Sequence, residues 1–102
     1  MNIIILKWII FHIFNVQLNF DLELDLSQFV ILKDQPTLIY SLYGVITHIG
    51  QSGPSAHFVA SCKSPVDNKW YRYNDAFVNP ITNIQKEIIE FGNPYILFYQ
   101  KN

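Results

Sequence analysis

The chain has 102 residues, half of them apolar (50%) and 16% aromatic, enough for the modest core of one small domain or of part of a larger one. Seven basic and eight acidic residues, dispersed without a charge run, leave a net charge of −1 and argue against a nucleic-acid or acidic-membrane partner. A single cysteine excludes an intrachain disulfide and a multi-cysteine zinc site, and it suits a reducing compartment, so a cytoplasmic or nuclear location is expected.

Met1 to Phe14 is almost wholly apolar but falls short of the roughly 20 residues that a membrane span needs. It lacks the basic start and small-residue cleavage site of a secretory signal, with Lys7 inside the run and Asn15-Val16-Gln17 after it. Residues 3–14 and 15–19, rich in Ile, Phe and Val, therefore read as strands, followed by the acidic–apolar alternation from Asp21 to Ser27. A short turn or helix is expected over Leu26 to Val30 and a loop at Lys33-Asp34-Gln35-Pro36.

Leu38 to Ile49 reads as a long strand with Leu38, Tyr40, Leu42 and Ile46 in one phase and Ile39, Tyr43, Val45 and Ile49 in the other. Apolar residues on both faces predict a central strand. Gly50 to Ser55 has loop composition and leads into a second strand, Ala56 to Lys63. Ser64-Pro65-Val66-Asp67-Asn68 is turn chemistry, and Lys69 to Asp75 completes a hairpin. Thr82 to Phe91 is the one clear helix: Thr82 and Gln85 have capping-box spacing, Ile84, Ile88 and Phe91 share a face, and Gly92 and Pro94 supply the stop. A strand from Tyr95 to Tyr99 closes the chain. The expected fold is α+β, a mainly antiparallel sheet with one short C-terminal helix, in a single structural unit.

A hairpin turn at Ser64 to Asp67 pairs Lys63 with Asn68 and, counted along both strands, sets His57 opposite Asn74. Directly opposed residues have Cβ atoms about 4.5–5.5 Å apart, so an imidazole N–H reaches a side-chain oxygen there. An amide oxygen accepting from one ring nitrogen fixes the tautomer and leaves the other nitrogen to take a proton, which is the core of a general base. The alternative reading of such a pair is a purely structural one, a satisfied polar contact at a sheet rim. Asp75, next along the strand, is expected on the opposite face unless the strand bulges. Cys62 lies five residues from His57, about 16 Å at ~3.3 Å per residue, and the odd separation puts the two on opposite faces, so it is not the nucleophile. Ser52 and Ser55 lack a nucleophile-elbow context. His12 and His48 have no acidic neighbours at ligand spacing, so no metal and no cofactor are expected.

Four ordered blocks carry a resemblance: Tyr40 to Gly50, Ala56 to Ala60, Trp70 to Val78 and Pro94 to Tyr99. They are similar to the histidine box and closing strands of ubiquitin-specific proteases, and Leu22 to Phe29 resembles the segment leading into that box. The similarity covers roughly positions 16–100 and matches the first fifteen residues poorly, so that 1–102 is expected to be the C-terminal portion of such a catalytic domain. The resemblance implies the palm part of a papain-like cysteine protease fold, His57 as the general base, Asn74 as the third triad member and Asp75 as the second acid, assisting orientation or the developing oxyanion. Phe58 stands where the family usually has Tyr beside the ubiquitin tail, and Ala56 where it prefers Gly. Ubiquitin or a ubiquitinated protein is the implied partner. The family's nucleophilic cysteine belongs to a box far upstream of these blocks, so the chain alone is expected to be inactive, as a fragment or truncated product of an isopeptide-cleaving enzyme. The alternative is a non-catalytic module that binds ubiquitin or another protein.

Overall fold

In a computed structural model of the chain, which describes residues 3–7, 20–27, 38–50 and 57–102, strand β3 (Ile39–Ile49) is the axis of the sheet. β7 (Asn93–Lys101) pairs along one of its edges, and β2 (Glu23–Asp25) and β4 (His57–Lys63) share the other. β5 (Trp70–Asn74) and β6 (Phe77–Ile81) follow β4, and β1 (Ile3–Lys7) lies outside β7. The order is β1-β7-β3-β4-β5-β6, with antiparallel pairing throughout these strands. Helix α1 (Ile84–Phe91) joins β6 to β7 and packs against β7 and β3. The expected α+β fold and the central place of Leu38 to Ile49 are both present, whereas β6, with Pro80 inside it, is a strand that the sequence reading left out. Proline cannot donate to a ladder, and here it sits on the outermost strand of that side, where it does least harm.

The core lies on the face that α1 covers and joins Tyr40, Leu42 and Val45 of β3 to Trp70, Ile81, Ile88, Leu97, Tyr99 and Phe20. Full burial of an aliphatic side chain such as Val45, Ile88 or Leu97 stabilises by about 1.5–3 kcal/mol each. Leu42 and Val45 are an odd number of residues apart yet both buried, because the β3–β7 register slips between Leu42 and Gly44, leaving Tyr43 as the extra residue. A compensating slip between Ile46 and Thr47 makes Tyr95 the extra residue on β7. Simple alternation along β3 therefore fails at Tyr43.

The β4–β5 hairpin corrects the predicted register. Lys63 pairs with Trp70, not Asn68, and the connection runs from Ser64 to Lys69, closed by Ser64 N donating to Lys69 O at 2.8 Å and Asn68 N donating to Ser64 O at 2.9 Å. Asn68 takes the left-handed conformation (φ 59) that a turn of this kind needs and that Asn tolerates.

The helix begins later than its predicted start. Asn83 is the N-cap, its Oδ1 accepting from Lys86 N, and Glu87 reaches back to accept from the N–H groups of Thr82 at 2.7 Å and Asn83 at 2.8 Å. Gln85 instead donates to Phe20 O at 2.6 Å. Gly92 ends the helix, as expected, and Pro94 lies inside β7, which starts two residues before the predicted Tyr95. The features expected over 8–19, 28–37 and 51–56, with His12, Ser52, Ser55 and Ala56 among them, lie outside the described residues.

Candidate active site

His57 opens β4 and Asn74 closes β5, at the same end of the sheet and on the helix-covered face. Their side chains meet: His57 Nε2 lies 2.8 Å from Asn74 Oδ1, in a half-buried contact. An amide oxygen has no proton to give, so Nε2–H is the donor and the lone pair of the neutral ring falls on Nδ1. The contact survives the two-residue slip because a shift of two preserves which face each side chain takes, and diagonal neighbours are within reach of long side chains. Asn74 is itself held in the β5–β6 ladder by pairing with Phe77.

Asp75 does not continue the strand. It occupies the tight turn between β5 and β6, exposed and with φ 52, so the question of which strand face it takes is replaced by a left-handed residue that reverses the chain directly after Asn74. Phe58 lies on the face opposite His57, half exposed at 50%, paired with His48 and packed on two rings: His48 at 5.2 Å and Tyr95 at 5.6 Å between centroids. His48 is thus a buried member of an aromatic cluster. Tyr95 joins this cluster through its bulge, which no periodicity signals.

Cys62 pairs with Gly44 and Tyr71, on the face opposite the His57–Asn74 contact, and its burial pushes the thiol pKa up, away from the reactive thiolate. Among the described residues no group of three His, Cys, Asp or Glu side chains could hold a metal ion. No helix among them is long and apolar enough to cross a membrane.

The arrangement offers a tautomer-fixed imidazole without a nucleophile beside it on these strands. Comparison with known proteins gives it a setting. A profile described as ubiquitin carboxyl-terminal hydrolase matches residues 10–99. Ubiquitin carboxyl-terminal hydrolase 12 of Saccharomyces cerevisiae is 44% identical over 78 residues, 76% of this chain and 6% of that protein. Ubiquitin carboxyl-terminal hydrolase 2 of Bos taurus is 35% identical over 83 residues, 80% of this chain and 13% of that protein. Among solved structures, the SAGA Ubp8/Sgf11/Sus1/Sgf73 DUB module bound to ubiquitin aldehyde matches with a TM-score of 0.65 at 28% identity, covering 82% of this chain and 19% of the matched one. The chain therefore spans a small part of the length of these relatives, its sheet and helix have the fold of the corresponding part of their catalytic domains, and it belongs to the ubiquitin carboxyl-terminal hydrolase family.

Proposed function

We propose that this chain supplies the base-bearing part of a cysteine-type deubiquitinase catalytic domain, in which His57 takes the proton of a cysteine thiol and Asn74 orients it. The observation that carries this reading is the 2.8 Å contact between His57 Nε2 and Asn74 Oδ1, which directs the basic lone pair to Nδ1. A thiolate formed by that nitrogen attacks the isopeptide carbonyl at the ubiquitin terminus. Cys62 does not serve, because it faces away and its thiol is made less acidic by burial. The nucleophile comes instead from another portion of the catalytic domain, and the isolated 102 residues are inactive. Asp75, in the turn directly after Asn74, assists orientation of the pair or the developing oxyanion. Phe58, half exposed and adjacent in sequence to His57, contacts the ubiquitin tail.

The test is a graft in which residues 20–102 replace the matching segment of the yeast hydrolase 12 catalytic domain, assayed with a ubiquitin C-terminal fluorogenic amide. Hydrolysis by the graft and its loss in His57→Ala are expected, and the 102-residue chain alone stays unlabelled by a thiol-reactive ubiquitin probe. A folded graft that binds ubiquitin without hydrolysing it favours the non-catalytic module, and labelling of the chain alone contradicts the assignment of the nucleophile elsewhere.

A further inference from the structure

Ladder pairing between β4 and β5 ends at Ala60 and Tyr73, so the segments carrying His57 and Asn74 run on without backbone pairing to each other. Helix α1 offers a second tie between them. On the β5 side, the Arg72 guanidinium lies 3.9 Å from the centre of the Phe91 ring, and its Nη2 donates to the Glu87 carbonyl at 3.0 Å. Arg72 thus reaches from β5 to both turns of α1, bonding the Glu87 carbonyl in the first and lying over the Phe91 ring in the last. On the β3 side, Gly92 lies against the end of that strand: a Cβ there would stand 2.7 Å from Thr47 Cγ2, 2.9 Å from the His48 carbonyl and 3.1 Å from Ile49 Cγ1. Ile49 is the residue paired with His57, and Arg72 is two residues before Asn74 on the same face. One short helix, with its cap, thus touches both halves of the pair's support.

We propose that Arg72 is a positioning residue for the His57–Asn74 pair: by clamping β5 to α1 through the Glu87 carbonyl and the Phe91 ring, it holds Asn74 Oδ1 within reach of His57 Nε2. The catalytic meaning of the clamp rests on the function proposed above, but the hydrogen bond it protects does not. Flat stacking and a directed N–H are properties of guanidinium that an ammonium reproduces only in part.

Long-range ¹⁵N–¹H spectra of the neutral His57 ring in the 102-residue chain test the clamp directly. The wild-type chain shows the Nε2–H tautomer. Arg72→Ala shows mixed tautomers while the amide shifts of Val45, Val59 and Leu97 keep their native positions, Phe91→Leu behaves similarly, and Arg72→Lys recovers part of the wild-type signal. In the graft, Arg72→Ala lowers kcat roughly ten- to a hundredfold with little change in KM, the penalty of a misplaced catalytic group. An unchanged tautomer in a folded Arg72→Ala chain overturns the proposal. If that variant does not fold, Arg72→Lys and Phe91→Leu decide by the same criterion. Mixed tautomers beside a wild-type graft that is itself inactive fault the functional reading and leave the clamp standing.

Discussion

Ala60 and Tyr73 form the last pair of the β4–β5 ladder, and beyond them His57 and Asn74 are joined through their side chains at 2.8 Å. Removing one partner of a half-buried hydrogen bond costs about 1 kcal/mol. Asn74→Ala is therefore expected to lower the urea midpoint of the chain by that equivalent with an unchanged m-value, and Asn74→Asp, which keeps the oxygen acceptor, loses less. A changed m-value would point to a wider loss of structure.

Gly92→Ala is expected to destabilise by about 1–3 kcal/mol, the range for overpacking a filled site. The methyl group meets Thr47 Cγ2 and the His48 carbonyl, and the carbonyl cannot swing aside as a flexible side chain would. The backbone angle is not the cause, since φ 176 is extended and open to any residue. Thermal unfolding of Gly92→Ala with and without Thr47→Ser separates the Thr47 contact from the rest: the second change relieves part of the cost and leaves the part due to the carbonyl and Ile49 Cγ1.

The cap of α1 gives a dependence on acid. The N–H groups of Thr82 and Asn83 hold the Glu87 carboxyl below its ordinary value of 4.5. A carboxylate with a lowered pKa in the folded state contributes stability above its unfolded pKa and loses it as pH falls through the folded one. Glu87→Gln is thus expected to flatten the stability curve below pH 4.5, read by urea unfolding across that range. Asn83→Ala removes the N-cap acceptor at a cost of about 1 kcal/mol that varies little with pH.

Tyr99 gives the alkaline counterpart. Burial, and next the charge of Asp21, push its phenol from 10.0 up to about 12, and its hydroxyl donates to the Asp21 carbonyl at 2.6 Å. A raised folded pKa favours the protonated form, so this contribution is complete below pH 10 and is lost as pH rises towards about 12. Tyr99→Phe is expected to unfold less steeply over that window than the parent chain. Equal slopes would show that the phenol does not carry the dependence.

The His57–Asn74 pairing was legible in the sequence even though the predicted turn was wrong, because a register error of two residues keeps both side chains on one face. The central place of β3 was legible because apolar residues in both phases suit a strand covered on both faces, as strands in the middle of a sheet are. What stayed hidden depends on tertiary context. Gly44, beside Tyr43, is the one local mark of the first bulge and nothing local marks the one at Tyr95, β6 carries Pro80 and so resembles a loop, and Asn83 outcompetes Thr82 as the cap because Glu87, not Gln85, turns back to the free N–H groups. Nothing in the sequence singles out Arg72, whose ring partner Phe91 comes from the helix.

The central claim is that Asn74 orients His57 for proton transfer, and hydrolysis of a ubiquitin C-terminal amide by the graft tests it most directly through two substitutions at one position. Positioned acid–base catalysis contributes on the order of 10²–10⁴-fold, so Asn74→Ala is expected to lower kcat by about a hundredfold or more with KM nearly unchanged, and Asn74→Asp to retain most of the rate. A graft carrying Asn74→Ala that turns over at the parent rate would contradict the account.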